Sequence, residues 1–436
     1  MIIPRSIILW CAVLLPLSAA AFHGDGFAQA LIVATGSLFV IAIIDAIMAL
    51  QRGRQISFSL PELSRFSIKR NGNLVFSISN PAKITADLLF VPLVPDELGA
   101  LESEFSMRLS ADENMKFNCP CLPGRRGSHK VSLSWFEVVS PLGLWSARMK
   151  NPLDSEIRVY PDTHSERNNL AAMFLNKSYG GLHLHRVVGQ GREFEKLRDY
   201  IPGDSFDIVS WKATAKRGKP VCKEYQVERT QEIYAIIDTS RFSGRSKGGI
   251  SNLDHHFASA LVLGQVAEKQ GDLFGIITFD DQVKTFIRAG GGKGRYSACR
   301  DAVYGLAPQA KSPDFGALFS FVRANLRRRA LLVFLTDLDE RSLAESFVEN
   351  ISLVSRHHLC MVNMLKDETL GPLFESPADT PDDIYAHLAG HIKWADLLET
   401  KRAMARYGVH FSMIDREKLS VNLISGYMDM KRRQMI

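Results

Sequence analysis

The run GQGREFEKLRDYIPGDSFDIVSWKATAKRGKPVCKEYQVER, Gly189 to Arg229, decides how the rest of the chain is read. Basic, acidic and aromatic residues alternate in it too closely for a core strand or a flexible linker. Pro202-Gly203 is a turn signal, because proline pre-sets φ and glycine is free to take positive φ. Asp204 behind it is a good N-cap for a short helix over 205–215, which would carry Val209, Trp211 and Lys212 and close at Gly218. From Val221 to Val227 apolar and polar residues alternate, the pattern of a half-buried strand.

Downstream, short apolar strands alternate with helical patterns. Ile233 to Ile237 ends in Asp238-Thr239-Ser240, and Phe257, Leu261, Gly264 and Ala267 mark the helix that follows, stopped by Gly271. Strands over 273–279, 331–335, 359–365 and 409–414 alternate with helices over 317–326, 343–354 and 384–407 before a basic C-terminal helix. This order predicts an α/β domain with a mostly parallel, doubly wound sheet covered on both faces, whose ligands bind at the carboxyl ends of the strands. Upstream, residues 56 to about 161 read as β structure. The alternating runs at 56–60, 66–68, 74–78 and 131–135, with Asn71-Gly72 and Pro123-Gly124 as turns, predict a small antiparallel β-sandwich.

The N-terminus carries two apolar runs, Ser6 to Phe22 and Phe27 to Leu50, separated by His23-Gly24-Asp25-Gly26. At about 1.5 Å per residue each approaches the roughly 30 Å hydrocarbon thickness, so they predict a transmembrane helical hairpin. The first run also imitates a secretory signal, with Arg5 before it and Ser18-Ala19-Ala20-Ala21 at its end. Arg5 and the pair Arg52 and Arg54 flank the hairpin while its tip has no Lys or Arg, which puts both ends, and the bulk of the chain, in the cytoplasm. Asp45, near the inner end of the second run, is expected to reach water with its carboxylate. Six scattered cysteines give no disulfide framework, and Cys119-Pro120-Cys121 is too short for a CxxC half-site, in keeping with a reduced compartment. The resulting division is 1–52 membrane helices, 53–165 sandwich, 166–230 linking segment and 231–436 α/β domain.

The residues Gly189, Gly191, Glu193, Phe194, Leu197, Arg198, Tyr200, Pro202, Gly203, Asp204, Trp211, Lys212 and Ala215 follow the pattern G-x-G-x-E-F-x-x-L-R-x-Y-x-P-G-D, then I-x-W-K-x-x-A. In this the chain resembles a bacterial family known as domain of unknown function 58, and the likeness extends from about residue 125 to the C-terminus. Asp207 stands where the family pattern has Arg. The resemblance implies that the α/β domain is von Willebrand factor A-like. It also implies a membrane-anchored protein of the bacterial inner membrane that partners a MoxR-type AAA+ ATPase in assembling or maturing envelope or metal-enzyme complexes.

A von Willebrand A domain holds a divalent cation through a D-x-S-x-S loop, a Thr from a second loop and an Asp from a third, leaving positions open for a partner's carboxylate. Asp238 and Ser240 keep the first two places and Asp337 the last, but Phe242 and Pro313 replace oxygen donors, with Ser243 and Asp314 as the nearby substitutes. Mg²⁺ or Mn²⁺ is the cofactor such a degenerate set would hold, and no other cofactor is expected. Gly290-Gly291-Gly292-Lys293-Gly294 departs from a Walker A loop and reads as a flexible loop; the His pairs 183/185, 255/256 and 357/358 read as surface or cap histidines. No GxSxG elbow or HExxH helix is present.

These features predict an interaction module without catalytic residues. The alternatives are a divalent-metal-dependent enzyme and a basic nucleic-acid-binding domain. Against the last, ten basic and seven acidic residues between Arg186 and Arg229 leave a net charge of only +3. In the signature stretch Phe194, Leu197, Tyr200 and Trp211 are expected to be apolar anchors bracing one domain against the other. Glu193, Arg198, Asp204 and Lys212 are expected to form partly buried ion pairs beside them.

Overall fold

The computed structural model describes residues 1–6, 8, 10, 25–82, 84–176, 188–189, 193–202, 204–226, 230–367, 370–372 and 380–433. The chain divides into two compact units, Met1–Asp162 and Thr163–Ile436.

In the first unit, β1 (Ile2–Pro4) and the helix α1 (Asp25–Gln55) precede eight strands. These are β2 (Ser57–Ser59), β3 (Leu63–Ser67), β4 (Gly72–Asn80), β5 (Ala86–Pro92), β6 (Phe105–Leu109), β7 (Glu113–Cys121), β8 (Gly127–Val139) and β9 (Trp145–Tyr160). One sheet runs β1-β9-β8-β5-β6 with β3 added in parallel to β9; the other runs β2-β4-β7. Alternation drives the two sheets together: Leu74, Phe76 and Ile78 of β4 are buried at every second position. They share a core with the stacked rings of Phe58 and Phe90, whose centroids are 4.7 Å apart. Cys119 and Cys121, two residues apart and therefore on one face of β7, are buried in that core as apolar side chains.

Within α1, residues 33–55 form a stretch of 23 residues with mean hydropathy 2.2, long and apolar enough to cross a membrane by length and composition. The first apolar run lies almost wholly outside the described residues, so one such helix, not two, is described. Asp45 corrects the expectation made for it. It is buried, because Ala42, Asp45, Ala49 and Gly53 make one helical stripe turned inward, and its Oδ1 accepts from the Leu142 amide at 2.9 Å. The Trp145 indole donates to the Ala42 carbonyl at 2.9 Å. The helix thus brings the carboxylate to a backbone donor of the turn between β8 and β9. The opposite stripe, Phe39, Val40, Ile43, Ile44 and Ile47, is exposed.

The second unit opens with α2 (Thr163–Asn176) and a three-stranded antiparallel sheet of β10 (Val188–Gly189), β11 (Glu193–Asp199) and β12 (Val221–Gln226), ordered β10-β12-β11, with α3 (Trp211–Arg217) between the last two in sequence. Then come β13 (Glu232–Asp238), the short pair β14 (Ser246–Lys247) and β15 (Ile250–Ser251), α4 (Asn252–Lys269), β16 (Leu273–Phe279) and β17 (Val283–Gly290). They are followed by α5 (Lys293–Val303), α6 (Phe315–Asn325), β18 (Ala330–Leu335), α7 (Arg341–Ser355), β19 (Leu359–Leu365), α8 (Pro381–Arg406), β20 (His410–Ile414) and α9 (Leu419–Arg432).

The large sheet is ordered β17-β16-β13-β18-β19-β20, all parallel except the β17 edge. Counting strands along the chain, that order is 3-2-1-4-5-6, a doubly wound sheet. Central β13 feeds both faces: Ile233, Ala235 and Ile237 enter a core with α4 and α9, while Tyr234 and Ile236 enter one with α6 and α7. The sequence reading missed β17 and α5. Gly290 ends that strand and Gly292, at φ 93°, stands just ahead of α5, so the glycine run is a strand-to-helix corner and not a free loop. Gly275 in β16 has a steric reason: a Cβ there would lie 2.4 Å from the Ile287 carbonyl oxygen of the neighbouring edge strand.

Candidate site at the carboxyl edge of the sheet

Parallel strands bring their last residues to one edge. Asp238 ends β13, Asp280 follows β16, and Thr336-Asp337 follow β18, so three adjacent strands deliver polar side chains together. All are buried, as are Thr239 and Ser240. Asp238 Oδ1 accepts from the Ser240 amide at 2.8 Å and its Oδ2 from the Thr336 hydroxyl at 2.8 Å. Asp337 Oδ2 accepts from Asn252 Nδ2 at 3.2 Å, Arg416 Nε donates to Asn252 Oδ1 at 3.2 Å, and Arg245 pairs with Asp339 at 2.7 Å. Lys284 lies 3.2 Å from Asp280.

Burial governs the electrostatics. It pushes the Asp238 carboxyl above the usual range against the hydrogen bonds from Ser240 and Thr336. Burial also pushes Asp337 up to about 7, with Arg245 pulling the other way. Burial thus favours the neutral form of both carboxyls.

The residues present do not fit an open Mg²⁺ or Mn²⁺ site. Asp238 has both oxygens engaged by protein donors. Phe242 is buried and offers a ring, with the Arg241 guanidinium carbon 4.7 Å from its centroid. Pro313 offers no oxygen side chain; Ser243 donates to the Ser240 carbonyl at 2.7 Å, and Asp314 caps α6 by accepting from the Ala317 amide at 2.9 Å. Among the described residues no group of three His, Cys, Asp or Glu side chains stands where it could hold a metal. Asp238, Ser240 and Asp337, the degenerate metal set that the resemblance implies, lie along one strand-end edge with Thr336, Asp280, Asn252 and Arg245, which the sequence does not single out. Thr336 and Asp280 could have been found by position, each following directly on a buried strand; Asn252 and Arg245 reach the edge only through the fold.

The signature stretch divides differently from expectation. Arg198 and Asp204 form a fork, Nη1 to Oδ2 at 2.6 Å and Nη2 to Oδ1 at 2.7 Å, and Asp204 Oδ2 also accepts from the Ile201 amide at 3.0 Å. Arg198 holds the Asp204 carboxyl down at about 2. Asp204 is therefore a turn clasp and not a helix cap. Ser205 caps a single 3-10 turn, Phe206–Ile208, by accepting from the Asp207 amide, and α3 begins only at Trp211. Gly218 closes α3 at φ 67°, as expected.

Trp211 corrects the bracing role: it is 68% exposed, because the first turn of the short α3 points it outward, and Phe206 at 72% and Ile201 at 59% are exposed as well. Leu197 and Tyr200 are half-buried, with the Tyr200 ring stacked 6.2 Å from Phe206. Lys212 is exposed and has no ion pair among the described residues. Gly191 and Gly203 lie outside the described residues, and of Glu193 and Phe194 only the strand backbone is described. Pro202 lies inside the clasped turn, which the Asp204 amide closes by donating to the Ile201 carbonyl at 3.0 Å.

Residues 196–371, which span both the clasp and the strand-end cluster, match the family described as "Protein of unknown function DUF58". The likeness to DUF58 holds over that region, 176 of the 436 residues. No curated protein matches the sequence. Among solved structures, the chain is similar to the conserved hypothetical protein BatB from Bacteroides thetaiotaomicron, at 12% identity over 46% of this chain and 99% of that one, TM-score 0.29. It is also similar to an aerotolerance-related membrane protein from Bacteroides fragilis, at 14% identity over 45% and 97%, TM-score 0.27. A PapD-like domain of human CEP192 is similar at 12% identity over 23% and 84%, TM-score 0.17.

Proposed function

We propose that this chain is a DUF58 protein that acts as a membrane-anchored docking module, binding a partner and catalysing nothing, with a von Willebrand A-like second unit and a MoxR-type AAA+ ATPase as partner. The observation that carries the reading is the exposed apolar trio Ile201, Phe206 and Trp211, displayed beside a turn that the Arg198–Asp204 fork locks. Exposed aromatics on a preorganised turn are what an interface anchor requires, since the ordering cost of binding is already met. The carboxyl cluster at the strand ends supports the same reading: it is buried, with Asp238 held by Ser240 and Thr336 and Asp337 by Asn252, although among the described residues Ser240 Oγ and Asp280 Oδ2 have no hydrogen-bond partner.

For the anchor, β1 pairs with β9 at 2–4 and α1 packs on the β8–β9 turn from Ala42 onward, so the chain leaves and rejoins the same sandwich. An apolar segment between two such attachments crosses a bilayer an even number of times, which supports a hairpin. The Arg flanks favour a bacterial inner membrane with both units in the cytoplasm.

The test is affinity capture of the detergent-solubilised full chain against the Phe206→Ser/Trp211→Ser variant, with identification of retained proteins. An AAA+ ATPase retained by the first and lost by the second is expected. Equal capture by both would refute the docking surface, and a turnover that survives purification would refute the non-catalytic reading.

A further inference from the structure

The opposite, amino-terminal edge of the large sheet holds a feature that the docking reading does not use. The connection from α6 to β18 carries Arg327-Arg328-Arg329, and the connection from α7 to β19 carries Arg356 and His358. Together with Arg323 they line one cavity of about 700 Å³ with Leu326 in its wall. No carboxylate lines it. That departs from the rest of a chain in which 53 basic residues face 47 acidic ones and charges mostly interleave. Arg328 has a carboxylate in reach, Glu232 at 4.0 Å, while 81% of its own side chain stays exposed. His358 is buried in the same wall, and its Nδ1 has no hydrogen-bond partner among the described residues.

We propose that this cavity is an anion site for a phosphoryl group. Guanidinium groups are rigid forks matched to phosphate oxygens, and several converging in a cavity that no carboxylate lines raise the local potential for an anion. The buried His358 nitrogen, left unpartnered at the wall, adds a polar contact deeper than the exposed arginine rim. The volume suits a small polyphosphate or a phospholipid headgroup. Helix ends alone do not account for the cluster. The carbonyl ends of α6 and α7 favour a cation nearby, which explains Arg323 in the last turn of α6 and Arg356 at the C-cap of α7, but Arg327-Arg328-Arg329 lies past the helix.

The test is calorimetric titration of the full chain in detergent with sodium tripolyphosphate at low ionic strength, and melting temperature in phosphatidylglycerol against phosphatidylcholine nanodiscs. Saturable binding is expected, weakened about ten-fold or more in Arg327→Gln/Arg329→Gln and in Arg356→Gln, and unchanged in Arg108→Gln of the first unit. These arginines are exposed, so the variants should fold, and a melt of each checks it. Arginine-dependent tripolyphosphate binding supports a soluble phosphoryl ligand. An arginine-dependent rise in melting temperature confined to phosphatidylglycerol supports a lipid headgroup as the same chemistry. Absence of both, binding that the variants leave intact, or tighter capture of duplex DNA lost in the same variants would overturn the assignment.

Discussion

Replacing Asp337 by Asn should stabilise this protein at alkaline pH and do little at acid pH. Burial raises the Asp337 carboxyl from its ordinary value near 3.8 to about 7, so the folded state keeps a proton that the unfolded chain releases. Between these values the unfolded state binds fewer protons, and stability falls as pH rises from about 4 to about 7, then levels. Three pH units at about 1.36 kcal/mol each put the upper limit of the lost stability near 4 kcal/mol at pH 8. Asp337→Asn removes the ionisation while an amide oxygen can still accept from Asn252. For a unit this large, a difference of that size is about 8 to 16 °C in melting temperature.

The assay is a thermal melt of wild type and variant in detergent at pH 5 and pH 8, with and without Mg²⁺. The two proteins should melt within a few degrees of each other at pH 5, and the variant higher at pH 8. A wild type that gains on the variant as pH rises would refute the reasoning. So would Mg²⁺ raising the wild-type melt at pH 8 while leaving Asp337→Asn unmoved, because then a cation and not a proton balances the cluster.

Trp211→Ala should leave the melting temperature within about 1 °C, the small effect of an exposed truncation, while lowering partner capture; a large drop in stability would restore the bracing role that exposure removes. Asp272→Ala should be costly, because the carboxylate of this buried residue accepts from the Tyr427 hydroxyl, from Lys431 at 2.6 Å and from the Gln231 amide at 3.1 Å, tying α9 to the sheet. The loss should be about 3 to 5 kcal/mol, read as a lowered melt; an unchanged melt would mean that α9 is held by its apolar face alone. Protease added to right-side-out cells should spare the second unit if it lies in the cytoplasm, and digestion there would reverse the proposed topology.

Short apolar runs were enough to read β13, β16, β18 and β19 within a residue or so, because buried parallel strands are unbroken apolar runs and their helices carry a periodic stripe. The resemblance to a von Willebrand A domain pairs Asp238 with Asp337, and both stand at the carboxyl ends of adjacent strands. Other features had no local signature. The edge strand β17 is half-buried and mixed in composition, so only its pairing with β16 defines it. Asp45 reads as a solvated charge until the Leu142 amide is brought against it from 97 residues away. Trp211 has the composition of an anchor, but whether an aromatic on a seven-residue helix faces a core or solvent depends on what packs over that helix. Sequence determines periodicity, capping and which residue types lie at strand ends; tertiary structure decides burial, and burial in turn decides which carboxyls are charged and which aromatics are free to bind.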